Sequence, residues 1–276
     1  MTVNSELQRV KEWAPMRGFS NMLFKENYAW WGTRRWWVNA VVWVAIICSL
    51  VAFMLFVLPG QAAANNDPAI AEMGGPLAMG QYMGLTIFFQ VGVLAIGIGT
   101  IILCQDLIAY ERQTGLIDWL LAKPLSRHAY ILAKLTATLI AVLVLLIGGP
   151  ALVTCGLFYL RMGLDFPLLP FLQGIGVLVI HTLFYLCLTL MLGTFFTKRT
   201  PIMGIAVSTL VGGNILAGFI SPCLYVTPWG LGRVSLALAA SEPVPPALLW
   251  SPLIASLVLS VVFISVALVK FQKLEF

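Results

Sequence analysis

Charge is what this sequence has least of. Only 10% of its 276 residues are Asp, Glu, Lys or Arg, against roughly 25% in an ordinary soluble domain. Apolar residues make up 60%, and the mean hydropathy is +0.95. A soluble fold of this length has too little interior to hide that much apolar surface, so lipid is the solvent for most of the chain. No Asp or Glu falls at the centre of a long apolar run, which counts against an ion- or proton-coupled secondary transporter working through mid-membrane acids. Two histidines and five cysteines without CxxC or Cys/His spacing give no metal site. Four of the five cysteines lie in apolar runs and read as small packing residues. The chain has no HExxH or GxSxG motif and no GxxxxGKS/T phosphate loop, so neither a membrane-embedded enzyme nor a nucleotide site is expected here. The polar and aromatic first 37 or so residues lack the pattern of a cleavable signal peptide.

What is present is a series of apolar runs, each near the ~20 residues that a bilayer crossing needs. Six are read: 38–58 (closed by Pro59-Gly60), 83–104, 129–160 (interrupted by Gly148-Gly149-Pro150), 171–196, 202–220 and 247–269. The expected fold is an all-α polytopic membrane protein, with an N-terminal segment 1–37 and a six-span domain 38–276. The net charge of +5 is distributed as topology rather than as a stripe for nucleic acid. An even number of spans puts 14 of the 16 Lys and Arg on one side, leaving only Arg161 and Arg233 on the other. By the positive-inside rule that side is cytoplasmic and holds both termini. The outer loops, 61–80 and 225–246, are too short for separate domains. The first is expected to be irregular with at most one short helix, and the second to carry a short helix on or dipping into the outer leaflet.

Ahead of the first span, residues 19–37 mix apolar side chains with Trp30, Trp31, Arg34, Arg35, Trp36 and Trp37. Tryptophan favours the headgroup layer and arginine its phosphates. The segment is therefore expected to be an interfacial helix bending into the first span, with those six residues as anchors. An aromatic flank of that span is the plainer alternative.

The loop 105–128 is the longest connection on the cytoplasmic side and is not simply polar. At helical spacing Glu111, Gly115, Asp118 and Ala122 share one face, and Leu116, Ile117, Leu120 and Leu121 form an apolar arc with Trp119 nearby. Pro124 ends or bends the helix. A shallow acidic face suits docking against another protein; an interfacial helix packed back on the bundle explains the same pattern.

The run Glu111-x-x-x-Gly115-x-x-Asp118-x-Leu120-Leu121-x-x-Pro124-Leu125-Ser126-Arg127, followed by Tyr130 and Lys134, resembles the signature of export-type (type 2) ABC permeases, with Leu116 where Thr is common. The layout around it agrees: an N-terminal helix, six spans, a short re-entrant piece before the sixth and a charged tail. The resemblance implies the permease subunit of an ATP-driven exporter in a bacterial inner (plasma) membrane. The loop would be its coupling helix, with Glu111, Gly115, Asp118, Trp119, Leu120, Leu121, Pro124 and Arg127 meeting a separate ATPase. ATP and Mg would be bound by that partner and no cofactor by this chain, and a second permease copy would complete the dimer.

Polar groups inside the runs are few. Gln90, His181 and Asn214 are candidates for a substrate path, each with a plainer reading as an interhelical hydrogen-bonding residue. Lys134 is expected to snorkel. An almost uncharged interior favours a lipidic, amphipathic or polymeric cargo over a small ion.

Overall fold

The computed structural model describes residues 16–65 and 68–274; Arg9, Lys11 and Glu275, used in the charge and tail readings, lie outside the described residues. Among the described residues the ordered elements are all helical. In chain order they are α1 (Phe19–Trp31), α2 (Arg35–Ala64), α3 (Pro68–Glu72), α4 (76–104), α5 (Ala109–Gln113), α6 (Leu116–Leu121), α7 (127–162), α8 (Leu168–Phe195), α9 (Arg199–Phe219), α10 (Ser221–Val226), α11 (Leu231–Ala239) and α12 (Pro246–Gln272). Six of them (α2, α4, α7, α8, α9 and α12) are long and apolar enough to span a membrane, the number read from the sequence.

Two boundaries differ from expectation for one physical reason. Pro59-Gly60 does not close the first span, and Gly148-Gly149-Pro150 does not interrupt the third. In each case a π turn, Phe53–Val57 or Leu143–Gly148, lies just before the proline. The extra residue displaces the carbonyls that the ring would meet in a regular helix, and the helix runs on. The loop 61–80 is correspondingly less irregular than expected, since α2 continues to Ala64 and α4 begins at Pro76.

α8 is the central post, the most deeply buried of the six spans, whereas α2, α9 and α12 are the least buried. It packs against α12, α11 and α4, around a core that includes Phe88, Phe89, Phe158, Phe166 and Phe171. The segment before the last span is a helical hairpin. α10, a 3-10 turn at Pro228–Gly230 and α11 follow one another, and α11 buries Leu231, Val234, Ser235, Leu236 and Ala239. The expected short helix in that loop is thus packed inside the bundle against α8.

α1 and the loop 105–128 meet the end of α12 at one pole. Met22, Ile117, Leu120, Tyr130, Ile131 and Phe271 belong to one buried cluster. The turn before α9 joins them, because Arg112 donates to the Thr194 carbonyl at 3.1 Å and Gln113 to that of Thr197 at 2.7 Å. Segments separated by an even number of spans therefore gather together.

Candidate functional site

The loop leaves α4 at Cys104 and forms two short helices rather than one. Gly115 adopts the left-handed conformation (φ 69°, ψ 8°) between α5 and α6, which costs L-residues with a Cβ but not glycine. The shared face of Glu111, Gly115, Asp118 and Ala122 is therefore not realised: the break turns Glu111 inward and Asp118 outward. Ser126 then starts α7 as its N-cap, accepting from the Ala129 N–H at 3.1 Å.

Glu111 closes a ring of four charges. The Lys134 ammonium lies 3.1 Å from both Glu111 and Glu26, and the Lys25 ammonium lies 2.9 Å from Glu111 and 3.1 Å from Glu26. The Tyr130 hydroxyl donates to the other Glu111 oxygen. The ring draws on α1, α5 and α7 and is buried except at Lys25. Burial pulls the Lys25 ammonium towards the neutral form, but the hydrogen bonds and charges of Glu111 and Glu26 outweigh it and hold its pKa above the ordinary lysine value. Lys134 does not snorkel, because two carboxylates meet it inside the protein. Sequence reading missed Glu26 and Lys25 as members; their signal was an acid–base pair on a helix whose buried face is Met22, Glu26 and Trp30.

The eight residues read as partner contacts divide into two groups. Glu111, Leu120 and Arg127 are engaged internally. Leu120 lies in the cluster with Tyr130 and Phe271. Arg127 donates to the Phe271, Gln272 and Leu274 carbonyls, at 3.2 Å to the first and 2.8 Å to the last, satisfying carbonyls that the end of α12 leaves open. Leu121 is half-buried, while Gly115, Asp118, Trp119 and Pro124 are exposed. Trp119 is 58% exposed with Lys123 3.5 Å above its ring. The apolar side of the loop packs on the bundle, and its other side stays open. A cavity of about 490 Å³ runs between that open side and α1, lined by Asn21, Lys25, Trp119, Lys123 and Pro124 among others.

Of the six residues read as anchors, Trp30 faces inward. It is buried against Ala137, Ala141 and Leu145 of α7, because a helix lying on α7 must offer every fourth residue to it. Trp31 is half-buried, and Arg34, Arg35, Trp36 and Trp37 are exposed around the break at 32–34 that separates α1 from α2. The most exposed aromatics of α1 are instead Phe24 and Tyr28, one turn apart.

Gln90 and Asn214 come together and His181 does not join them. The two line a cavity of about 280 Å³ between α4, α9 and the hairpin, with Trp229 and Arg233. Asn214 donates to the Leu210 carbonyl of its own helix at 2.8 Å rather than across helices. His181 is buried beside Tyr185, ring centroids 4.8 Å apart, with neither ring nitrogen hydrogen-bonded among the described residues. Two further cavities continue along α9, sharing Gly204 and Ser208 with one another, and the upper one shares Trp229 with the first. None of the residues lining the three is acidic.

Residues 25–276 match the model of a family described as ABC-2 family transporter protein. No curated protein matches the chain.

Proposed function

We propose, for a chain that belongs to the ABC-2 transporter family and so is an ABC transporter permease, that it is the membrane half of an ATP-driven exporter whose ATPase is a separate subunit. The observation that carries the proposal is the divided loop. One side is bolted to α1, α7 and α12 by the charge ring and Arg127, and the other presents Gly115, Asp118, Trp119 and Pro124 to solvent. A rigidly backed, shallow and exposed patch is what a moving ATPase needs in order to push on the bundle. Conformational coupling requires contacts that differ between two states, and a loop held at both ends passes such a change directly to α1 and α7. The charge distribution supports cytoplasmic termini, and the bacterial inner membrane rests on the resemblance of the loop. The export direction rests on the resemblance of the loop to export-type permeases.

A second copy of the chain covers α9 in this reading. Gly204, Ser208 and Gly212 lie one turn apart on α9, with open space above both glycines. Small residues at this spacing let helices approach closely in lipid. The groove between α4 and α9 then becomes a path between the two copies.

Gentle purification from the native membrane tests the first part: an ATPase subunit is expected to co-purify, and to be lost in D118K/W119A while the chain still inserts and runs as one species. Unchanged ATPase recovery in that variant removes the docking assignment. For the second part, a cysteine at Ser208 in a cysteine-free background is expected to cross-link to its counterpart, whereas one at Val262, exposed on α12, is not.

A further inference from the structure

Arg233, exposed at the start of α11, meets no carboxylate among the described residues. The ion pairs among the described residues all lie at the other pole, in the ring of Lys25, Glu26, Glu111 and Lys134. Arg233 lines the cavity that holds Gln90 and Asn214. Gln90 is about 21 Å along α4 from its loop end, and Asn214 about 22 Å along α9 from Arg199, at 1.5 Å per residue. In a hydrocarbon core about 30 Å thick, that depth lies well inside the half of the membrane away from the loop. An unpaired guanidinium beside a cavity at this level is costly, and such residues mark ligand pathways.

The rest of the lining has matching chemistry. The Trp229 indole N–H is buried beside the Tyr185 hydroxyl, so its ring forms wall rather than a free donor. Gln90 and Asn214 supply side-chain amides, and Val91, Leu94 and Leu224 complete an apolar wall. Donors and a fixed positive charge face a space with no acid, and the wall beside them suits a hydrocarbon tail. Arginine binds phosphate or carboxylate by paired hydrogen bonds.

The geometry points to the cavity between α4, α9 and the Trp229–Arg233 hairpin as a binding site for an anionic amphiphile, a molecule with a phosphate or carboxylate head and an apolar tail. It would supply the counter-charge that Arg233 lacks. This assignment rests on reading the α4/α9 groove as the transport path, and it names the class of cargo that the path accepts.

Native mass spectrometry of the chain in a non-ionic detergent tests it with three probes: lysophosphatidate, lysophosphatidylcholine with the same tail, and inorganic phosphate. Lysophosphatidate is expected to bind at one site per chain, about tenfold tighter than its zwitterionic analogue. Phosphate alone should not displace it at equal concentration. R233Q is expected to abolish the preference, and R161Q to leave it unchanged. Equal binding of the two lysolipids, a preference that survives R233Q, or full displacement by phosphate overturns the assignment. Since the chain is assayed by itself, loss of ATPase co-purification would defeat the permease–ATPase reading and leave the site standing. An ATPase complex without lysophosphatidate binding would do the reverse.

Discussion

The Lys134 ammonium sits 3.1 Å from the Glu111 carboxylate, and both side chains are more than nine-tenths buried. An isolated buried charge is expensive, whereas a paired and hydrogen-bonded one is tolerated. Here each ammonium bridges two carboxylates, so the ring is neutral and holds α1, α5 and α7 in one arrangement.

Breaking the ring from one side should therefore cost more than removing a whole pair. K134M leaves two buried carboxylates facing only Lys25, and a loss of roughly 3 kcal/mol is expected. K134M/E111Q removes one charge of each sign and should cost less than the sum of the single changes. K25M leaves the same two carboxylates facing Lys134, but Lys25 is 40% exposed and water can take its place, so it should cost less than K134M. Thermal unfolding in detergent reads all three, and a K134M variant as stable as the parent would show that the ring does not hold α1 in place.

The six spans were legible because lipid imposes a length on any apolar run that crosses it. The ring was not, because Glu26 and Lys134 lie far apart in the chain and periodicity reports only which face of one helix is apolar. Glu111 was read on the same face as Asp118 for a related reason: a constant helical period runs straight through Gly115, where the backbone turns left-handed. Trp30 and Trp36 look alike in sequence, yet one is inside and the other exposed, and the break at 32–34 separates them. Arg233 left a faint trace as one of two cations off the basic side, but its cavity depends on how the hairpin folds back.

Gly115 offers a clean measure of backbone cost. No atom lies within 4 Å of where its Cβ would be, so substitution tests conformation and not packing. Stability should fall in the order Gly, Asn, Ala, Val, with Ala costing about 1–2 kcal/mol and Asn less because it tolerates the left-handed region. If G115V melts with the parent protein, the turn between α5 and α6 is not held in that conformation.

The tryptophans before the first span should separate sharply. W30A empties a buried site against Ala137, Ala141 and Leu145 and is expected to cost roughly 3–5 kcal/mol. W36A and W37A, at 41% and 47% exposure, should each change stability in detergent by about 0.5 kcal/mol or less. Comparable losses at all three positions would mean that α1 does not lie on α7 through Trp30.

The hairpin meets the fifth span at a crowded point. The Trp229 indole lies directly on Gly213, where a Cβ would overlap the ring. G213A must therefore push the indole away, at a cost of about 1–3 kcal/mol as in other overpacked contacts. The displaced hairpin should also expose Cys223, half-buried on α10, so its maleimide reactivity should rise. Shrinking the partner distinguishes this contact from a general intolerance of alanine in α9. G213A/W229L should recover most of the stability lost in G213A, because the smaller side chain leaves room for the added methyl, and the coupling between the two changes should exceed about 0.5 kcal/mol. Strictly additive losses would place the indole elsewhere, and with it one wall of the cavity that Arg233 lines.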